Sequence, residues 1–330
     1  MTASGDTCVY VVGMHRSGTS AMTGLLCHLG LGVPYEEDQP RASKMNARGF
    51  FESLSLCKFD EALLDQLGGS WFAPPTLRPQ WWEDDSLSDL KREGSALFDA
   101  AFGDRPIAWK DPRSIVVLPF WNSVIRGPVA AVLVYRDPFE VASSLQVRNK
   151  FRLTHGFAIW ERYLRAASLN LEGIPTFVTS YASLLRSPDT KCDELMAFLG
   201  HVSVKVDPSL KASAIEFLDV SLRHERTESA ARVEIPLSTE EVFRAFELTE
   251  GPHFPWTPLD LEPEPGWVGD TLASRRDLQL LTERYAALEA SRPMRVARNV
   301  SGLRDSAGGS VRKLARETGL TRILRRAKKR

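Results

Sequence analysis

Residues 8 to 20 constrain this chain more than any other stretch. Cys-Val-Tyr-Val-Val, residues 8 to 12, is a short continuous apolar run. It ends at Gly13, and Gly13-Met-His-Arg-Ser-Gly-Thr-Ser20 then leads into a helical pattern from Ala21 to Leu29. A run that is apolar at every position suits a strand buried on both faces of a parallel sheet. A glycine-containing loop between such a strand and a helix turns backbone N–H groups toward an anion, and the helix dipole adds to the attraction. The spacing follows the phosphate loop G-x-x-x-x-G-K-[ST] except at Thr19, which stands where the lysine that reaches the β- and γ-phosphates belongs. The positive charge sits earlier, at Arg16.

The rest of the chain repeats the strand–helix alternation. Ile107 to Trp109, Val129 to Tyr135 and Ile174 to Thr179 read as further strands. Leu54 to Leu67, Leu87 to Phe102, Ile115 to Ile125, Phe139 to Arg148 and His155 to Leu171 read as helices. This alternation predicts an α/β fold, a central parallel sheet flanked by helices. Ser187-Pro188 places a capping residue before a first-turn proline, opening a helix towards Gly200. Ser238 and Glu241 have the spacing of a capping box ahead of Val242 to Phe246. Five prolines between Gly251 and Gly266 predict an extended loop.

Charge divides the chain in two. Its 330 residues carry 42 basic and 42 acidic side chains, yet residues 292 to 330 hold 13 Lys or Arg against two acids. We read residues 1–291 as one domain and 292–330 as a basic, helical C-terminal tail. The acidic body argues against a nucleic-acid partner. The tail's basic residues, interleaved with Val311, Leu314, Ile323 and Leu324, suit peripheral contact with an anionic membrane surface. Four scattered cysteines without a CxxC, and six histidines without an HExxH, indicate neither a disulfide framework nor a metal site. No apolar stretch approaches the ~18 residues of a membrane span. The expected location is the cytoplasm, with peripheral contact at the inner face of the membrane.

His15-Arg-Ser-Gly-Thr-Ser20 closely resembles the 5′-phosphosulfate loop of sulfotransferases that use 3′-phosphoadenylyl sulfate (PAPS), above all the bacterial carbohydrate-type and tyrosylprotein enzymes. The resemblance implies that Arg16, Ser17, Gly18, Thr19 and Ser20 hold the 5′-phosphosulfate, in a P-loop NTPase-like sulfotransferase fold. Two further motifs agree. Arg136-Asp137-Pro138 closes the strand Val129 to Tyr135, and Ser144 follows Arg136 by eight residues. In the family such a pair holds the 3′-phosphate, and an arginine can fork two charge-assisted bonds to it. Trp109-Lys110-Asp111-Pro112-Arg113 is similar to segments whose lysine faces the transferring sulfuryl group. More weakly, Ser180-Tyr181 with Leu184-Leu185 resembles a stretch near the adenosine, and Leu222-Arg223 a late loop that closes on the 3′-phosphate. The resemblance covers roughly residues 8 to 225.

What it implies is sulfuryl transfer from PAPS, the donor co-substrate, to an acceptor hydroxyl on a glycan or glycolipid, without a metal. Catalysis of such a transfer is mainly positioning and electrostatics. Arg16 and Lys110 are the expected cations. Glu52, in Arg48-Gly-Phe-Phe-Glu52, is the expected general base, its carboxyl pKa raised by Phe50 and Phe51. Glu36, Glu37, Asp111 and His15 are alternatives for that role. Trp71, Trp81 and Trp82, set among prolines, offer a sugar platform or a piece of core. Two other readings stand beside this one. A P-loop kinase shares the fold but needs the missing lysine, and a non-catalytic, membrane-associated nucleotide-binding protein explains the tail but leaves Arg136 and Ser144 idle.

Overall fold

The computed structural model describes residues 7–40, 51–103, 106–222 and 234–290. Arg48 to Phe50, Arg223 and the basic tail, which carries the membrane reading, lie outside them. Packing divides the chain after Ala273, and the residues discussed below belong to the first unit.

Five strands form one sheet in the order β2-β1-β3-β4-β5. They are β1 (Cys8–Val12), β2 (Ile107–Lys110), β3 (Val129–Tyr135), β4 (Thr176–Ser180) and β5 (Gly251–His253). The first four are parallel, and apart from Val129 every residue in them is buried, as the unbroken apolar runs of β1 and β3 require. β5 corrects the reading of 251–266 as loop throughout, because its three residues pair antiparallel with β4. Pro252 is tolerated there because an edge strand leaves one side without ladder bonds.

Eleven α-helices are described. They are α1 (Thr19–His28), α2 (Leu54–Gln66), α3 (Ser88–Ala101), α4 (Leu118–Val124), α5 (Pro138–Asn149), α6 (Leu153–Asn170), α7 (Tyr181–Arg186), α8 (Pro188–His201), α9 (Lys211–Leu222), α10 (Leu237–Glu247) and α11 (Gly266–Ala290). Strand side chains alternate between two cores. Tyr10, Val12, Trp109, Leu133 and Tyr135 pack with α2, α3, α4 and α6 on one face. Val9, Val11, Ala108, Val132 and Val134 pack with α1, α8 and α9 on the other. Among the described residues no helix is long and apolar enough to cross a membrane.

Two local expectations change. Residues 115–125 do not form one helix. A 3₁₀ turn, Pro112–Ile115, precedes α4, whose first turn holds Pro119. The break falls at Val117, which leaves the helical region at φ −110° and ψ 18°, and Pro119 suits the first turn because its missing N–H leaves no helix bond unmade. Nor does Ser238 cap α10. That helix starts at Leu237 after Pro236, and the Ser238 and Thr239 hydroxyls donate instead to Glu161, at 3.0 and 2.8 Å. Glu161 is fully buried on α6, and a buried carboxylate left without donors costs more than a frayed cap.

The strand order fixes where a ligand belongs. The chain passes from β1 to β2 on one side, and β3 then pairs on the other side of β1. Ligands of open α/β sheets bind at such a switch point, outside the carboxyl ends of the strands. The loop after β1 therefore lies between the ends of β2 and β3, which are Lys110 and Arg136.

Candidate active site

The loop from Gly13 to Gly18 is shaped by close approaches. A Cβ on Gly13 would meet the Val134 carbonyl oxygen at 2.1 Å, and one on Gly18 would meet the Tyr181 ring at 2.2 Å. Gly18 has φ 92°, and Arg16 has φ 71° without being glycine, so the loop stores backbone strain of about 1–3 kcal/mol at that residue. Strain of this kind persists where the surroundings over-determine it. Ser17 N–H donates to the Met14 carbonyl at 3.1 Å, while the Ser17 Oγ is buried with no protein partner.

Arg16, Arg136 and Ser144 converge on this loop from three elements. Arg16 Nε donates to Ser144 Oγ at 2.8 Å across 128 residues of sequence. Arg136, only 7% exposed, donates from NH1 to the Arg16 carbonyl at 3.2 Å and pairs through Nε with Glu140 at 2.6 Å. Its guanidinium lies over the Tyr181 ring, 5.0 Å from the centroid. Local chemistry aims α5 correctly. Asp137 caps it by accepting from Glu140 N–H at 3.0 Å, Pro138 fits its first turn, and Glu140 and Ser144 then follow Arg136 at four-residue steps. The weaker Ser180-Tyr181 motif is also brought here. Ser180 caps α7, and Tyr181 is the surface on which Gly18 and Arg136 both rest.

The charge absent from position 19 enters from the neighbouring strand. Thr19 is buried at the start of α1, and Lys110, at the end of β2 and 1% exposed, donates from Nζ to Ser20 Oγ at 3.2 Å. The same Nζ pairs with Glu52 at 2.5 Å. Lys110, Ser20 and Glu52, from three separate motifs, thus form one cluster. Glu52 has a cation beside it; Phe51 packs on Phe217, and Phe50, the other aromatic expected around the carboxylate, lies outside the described residues. Phe51 adopts a left-handed φ of 53°, the second strained non-glycine residue beside the site.

Asp38 anchors Ser53 and Ser55, just after Glu52, and the sequence reading missed it. Its carboxylate accepts from the Ser53 hydroxyl, from Ser55 N–H at 3.0 Å and from Ser55 Oγ at 2.7 Å. Ser53 in turn caps α2 by accepting from Leu56 N–H at 3.1 Å. Glu36 and Glu37 are not brought to the cluster. They are exposed on a 3₁₀ turn that follows Tyr35, whose backbone bonds to the end of α3.

His15 and Asp111 lie deeper. The His15 ring packs on Trp71, 4.6 Å between centroids, and its Nε2 is buried without a hydrogen-bond partner. Burial first, then the Arg113 guanidinium, holds the imidazole well below the usual histidine range, so it is neutral at pH 7. Asp111 Oδ1 accepts from Arg113 N–H and NH1, both at 2.9 Å. Burial raises the Asp111 pKa, but these contacts to Arg113 outweigh it and hold the carboxyl below its ordinary value. Asp60, fully buried and accepting from Trp121 Nε1 at 2.8 Å, is pushed well above its ordinary range by burial and then by the charge of Asp111. The pair is an acid beside a carboxylate.

This predicts a pH effect. Asp60 keeps its proton in the fold above about pH 4, where the unfolded side chain has lost it. The native state then binds more protons than the unfolded one, and stability falls as pH rises towards the folded pKa. Asp60→Asn keeps the acceptor for Trp121 and removes the ionisation. Thermal melts should show the variant gaining on the parent protein between pH 5 and pH 8, and an equal difference at both pH values would refute the assignment.

The three tryptophans are split. Trp71 stands beside His15, whereas Trp81 and Trp82 meet edge to face along a separate cavity of about 760 Å³, lined also by Pro75, Pro79, Arg162 and Arg165. Among the described residues no group of three or more His, Cys, Asp or Glu suits a metal ion.

The chain is similar to sulfotransferase domains. One such likeness is to the sulfotransferase domain from the Synechococcus PCC 7002 olefin synthase, with 16% identity, a TM-score of 0.45, and coverage of 74% of this chain and 95% of that one. A second is to the sulfotransferase domain from the curacin biosynthetic pathway, with 14% identity, a TM-score of 0.46, and coverage of 75% and 99%. A third is to sulfotransferase STF1 from Mycobacterium tuberculosis, with 15% identity, a TM-score of 0.41, and coverage of 74% and 77%. No protein-family model and no curated protein matches the chain.

PAPS fits the residues present. The unpartnered Ser17 hydroxyl, and the two glycines whose Cβ atoms would intrude, form a cradle for an anion at the start of α1. Arg136 and Ser144 each contact Arg16, one at its carbonyl and the other at its guanidinium.

Proposed function

We propose that this protein transfers the sulfuryl group of PAPS to a hydroxyl of a glycan or glycolipid acceptor. One observation carries the reading. The strand–loop–helix anion cradle, the Arg136–Ser144 pair and the Lys110–Glu52 pair come from distant parts of the sequence and meet around a single loop. An anion cradle at the start of α1 with an arginine and a serine beside it suits a nucleotide phosphorylated at both the 3′ and 5′ positions. A nucleoside triphosphate leaves that arginine and serine unused.

In this reading Arg16, Ser17, Gly18, Thr19 and Ser20 hold the 5′-phosphosulfate, and Arg136 and Ser144 hold the 3′-phosphate. PAPS supplies the activated sulfuryl group. Glu52 takes the acceptor's hydroxyl proton as the new O–S bond forms and the bond to the phosphate oxygen breaks. Lys110 loses its charged partner as Glu52 becomes neutral, and its ammonium turns to neutralising the oxygen of the departing 5′-phosphate, where a fixed cation in a water-poor site acts most strongly. Arg16 stabilises the same leaving charge. The glycan or glycolipid acceptor is suggested by the bacterial enzymes that the phosphate loop resembles, and by Trp71 beside His15.

Calorimetric titration tests the donor assignment. Adenosine 3′,5′-bisphosphate should bind without added metal, and ATP–Mg²⁺ should bind at least tenfold more weakly. The reverse order would transfer the site to a kinase-type reaction. Incubation with radiolabelled PAPS and a panel of glycans, glycolipids and phenols then reads the transfer itself.

A further inference from the structure

The cavity of about 760 Å³ beside Trp81 and Trp82 has no part in the donor site, and its size is that of a small-molecule site. Pro75, Leu77, Pro79, Trp81, Trp82 and Leu261 supply much of its wall. Leu77, Trp82, Leu259 and Leu261 pack on the core yet stay only partly buried, and Leu169, also in the wall, is 63% exposed. Large apolar side chains gathered round one concavity and left open to water mark a place that something apolar covers.

Most polar side chains of the wall are already engaged by the protein. Arg162 forks onto Glu264 with both bonds at 2.5 Å, and Arg165 donates to Glu161 at 3.0 Å and to the Glu262 carbonyl at 2.5 Å. Asn122 accepts from the Tyr10 hydroxyl at 3.0 Å, and Asn170 donates to the Ile115 carbonyl at 2.7 Å. The Ser168 hydroxyl accepts from Leu259 N–H at 2.8 Å, and Arg78 pairs with Asp84. A polar ligand group set against donors and acceptors that are already bonded loses its water without compensation. The wall therefore selects for hydrocarbon.

One strap joins this cavity to the acceptor side of the phosphate loop. Trp71 packs on His15, and the backbone that follows is tied down along α6. The Trp71 carbonyl accepts from Tyr163 at 2.9 Å, the Phe72 carbonyl bonds to His155 at 2.7 Å, and the Pro74 carbonyl accepts from Arg162 at 2.9 Å. The same segment continues into Pro75, Leu77 and the tryptophan pair of the wall. On α6, the Tyr163 ring lies 6.0 Å from that of His15, and Leu169 follows about 9 Å further along the axis.

We propose that the cavity holds the alkyl chain of a lipid acceptor whose hydroxyl is presented at Glu52. This deepens the sulfuryl-transfer reading and rests on it for the hydroxyl, whereas the chain site rests on the cavity alone. The chain contributes affinity without a directional bond, and the strap between Trp71 and Trp82 sets the side from which the hydroxyl arrives.

The test is calorimetry on the full-length protein saturated with adenosine 3′,5′-bisphosphate. The probes are methyl, hexyl, octyl and decyl β-D-glucoside below their micelle-forming concentrations. Each buried methylene is worth up to about fourfold in affinity, so the decyl glucoside should bind at least about a hundredfold more tightly than the methyl one. Trp82→Ala should weaken the decyl glucoside tenfold or more and Leu169→Glu fivefold or more, with the bisphosphate held within about twofold. Thermal melts identify a variant that does not fold, and Leu169→Glu, at an exposed position, is then read alone. Affinity independent of chain length, or no binding of any glucoside, would overturn the proposal. So would a chain-length dependence that the folded variants leave unchanged. Maltotetraose bound as tightly as the decyl glucoside and lost in Trp82→Ala would give the cavity to a glycan instead. A dimer in sedimentation that Leu169→Glu dissociates would give it to a second copy of the chain. Failure of the unaltered protein to bind the bisphosphate would overturn the sulfuryl-transfer reading itself, and the glucoside series without nucleotide then reads the chain site separately.

Discussion

Lys110→Ala lowers turnover by roughly 10²–10³-fold while leaving much of the affinity for adenosine 3′,5′-bisphosphate. The size follows from removing one preorganised charge that acts on the developing negative charge of the transition state. The direction follows from where Lys110 sits. It contacts Ser20 at the edge of the phosphate loop and Glu52 on the acceptor side, so most of its effect arises as charge moves. Glu52→Gln tests the other half of the pair. Loss of a general base costs ~10²–10⁴-fold in rate, and the amide still accepts a hydrogen bond from Lys110. Single-turnover rates with labelled PAPS separate chemistry from binding. If the two positions act as a unit, the double variant is scarcely slower than the worse single one. A near-normal rate for Glu52→Gln would pass the base role to His15, which the fold keeps neutral at pH 7, or to Asp111.

Arg136→Ala weakens adenosine 3′,5′-bisphosphate by roughly ten- to a hundredfold, from the ~1.5–3 kcal/mol of a hydrogen bond to a charged group. AMP, which lacks the 3′-phosphate, should lose far less. The structure adds a complication that the sequence did not show. Arg136 also donates to the Arg16 carbonyl and lies over Tyr181, so its removal loosens the 5′ site as well. Ser144→Ala is the complementary variant: it keeps Arg136 on the Arg16 carbonyl and removes only the hydroxyl that accepts from Arg16 Nε, so the two variants disturb Arg16 at different atoms. Equal losses for AMP and for the bisphosphate in both variants would show that neither residue reads the 3′-phosphate.

The parallel sheet was legible because its two central strands, β1 and β3, are buried on both faces and apolar without interruption. Cys8–Val12 and Val129–Tyr135 start and stop where the apolar runs do. The edge strand Gly251–His253 was not, since Gly-Pro-His has neither alternation nor β-branched residues and pairs only because β4 offers it an edge. The capping box at Ser238 misled for a related reason. Its spacing is local, but the partner that wins, Glu161, is 77 residues away.

The same division runs through the site. The phosphate loop, Arg136 with Ser144, and Lys110 could be read in one dimension, because each depends on a strand end or a helix start that the local sequence encodes. The pairing of Lys110 with both Ser20 and Glu52 could not, nor could the anchoring of Ser53 and Ser55 by Asp38, or the proton kept on Asp60 by burial and the nearby Asp111. Electrostatic energies depend on distance through space and on burial, and neither is a function of separation along the chain. The sequence by itself determined which residue types stand at the ends of the strands. The tertiary structure alone decided which of those charges face one another, because only the order β2-β1-β3 brings Lys110 and Arg136 to opposite sides of a single loop.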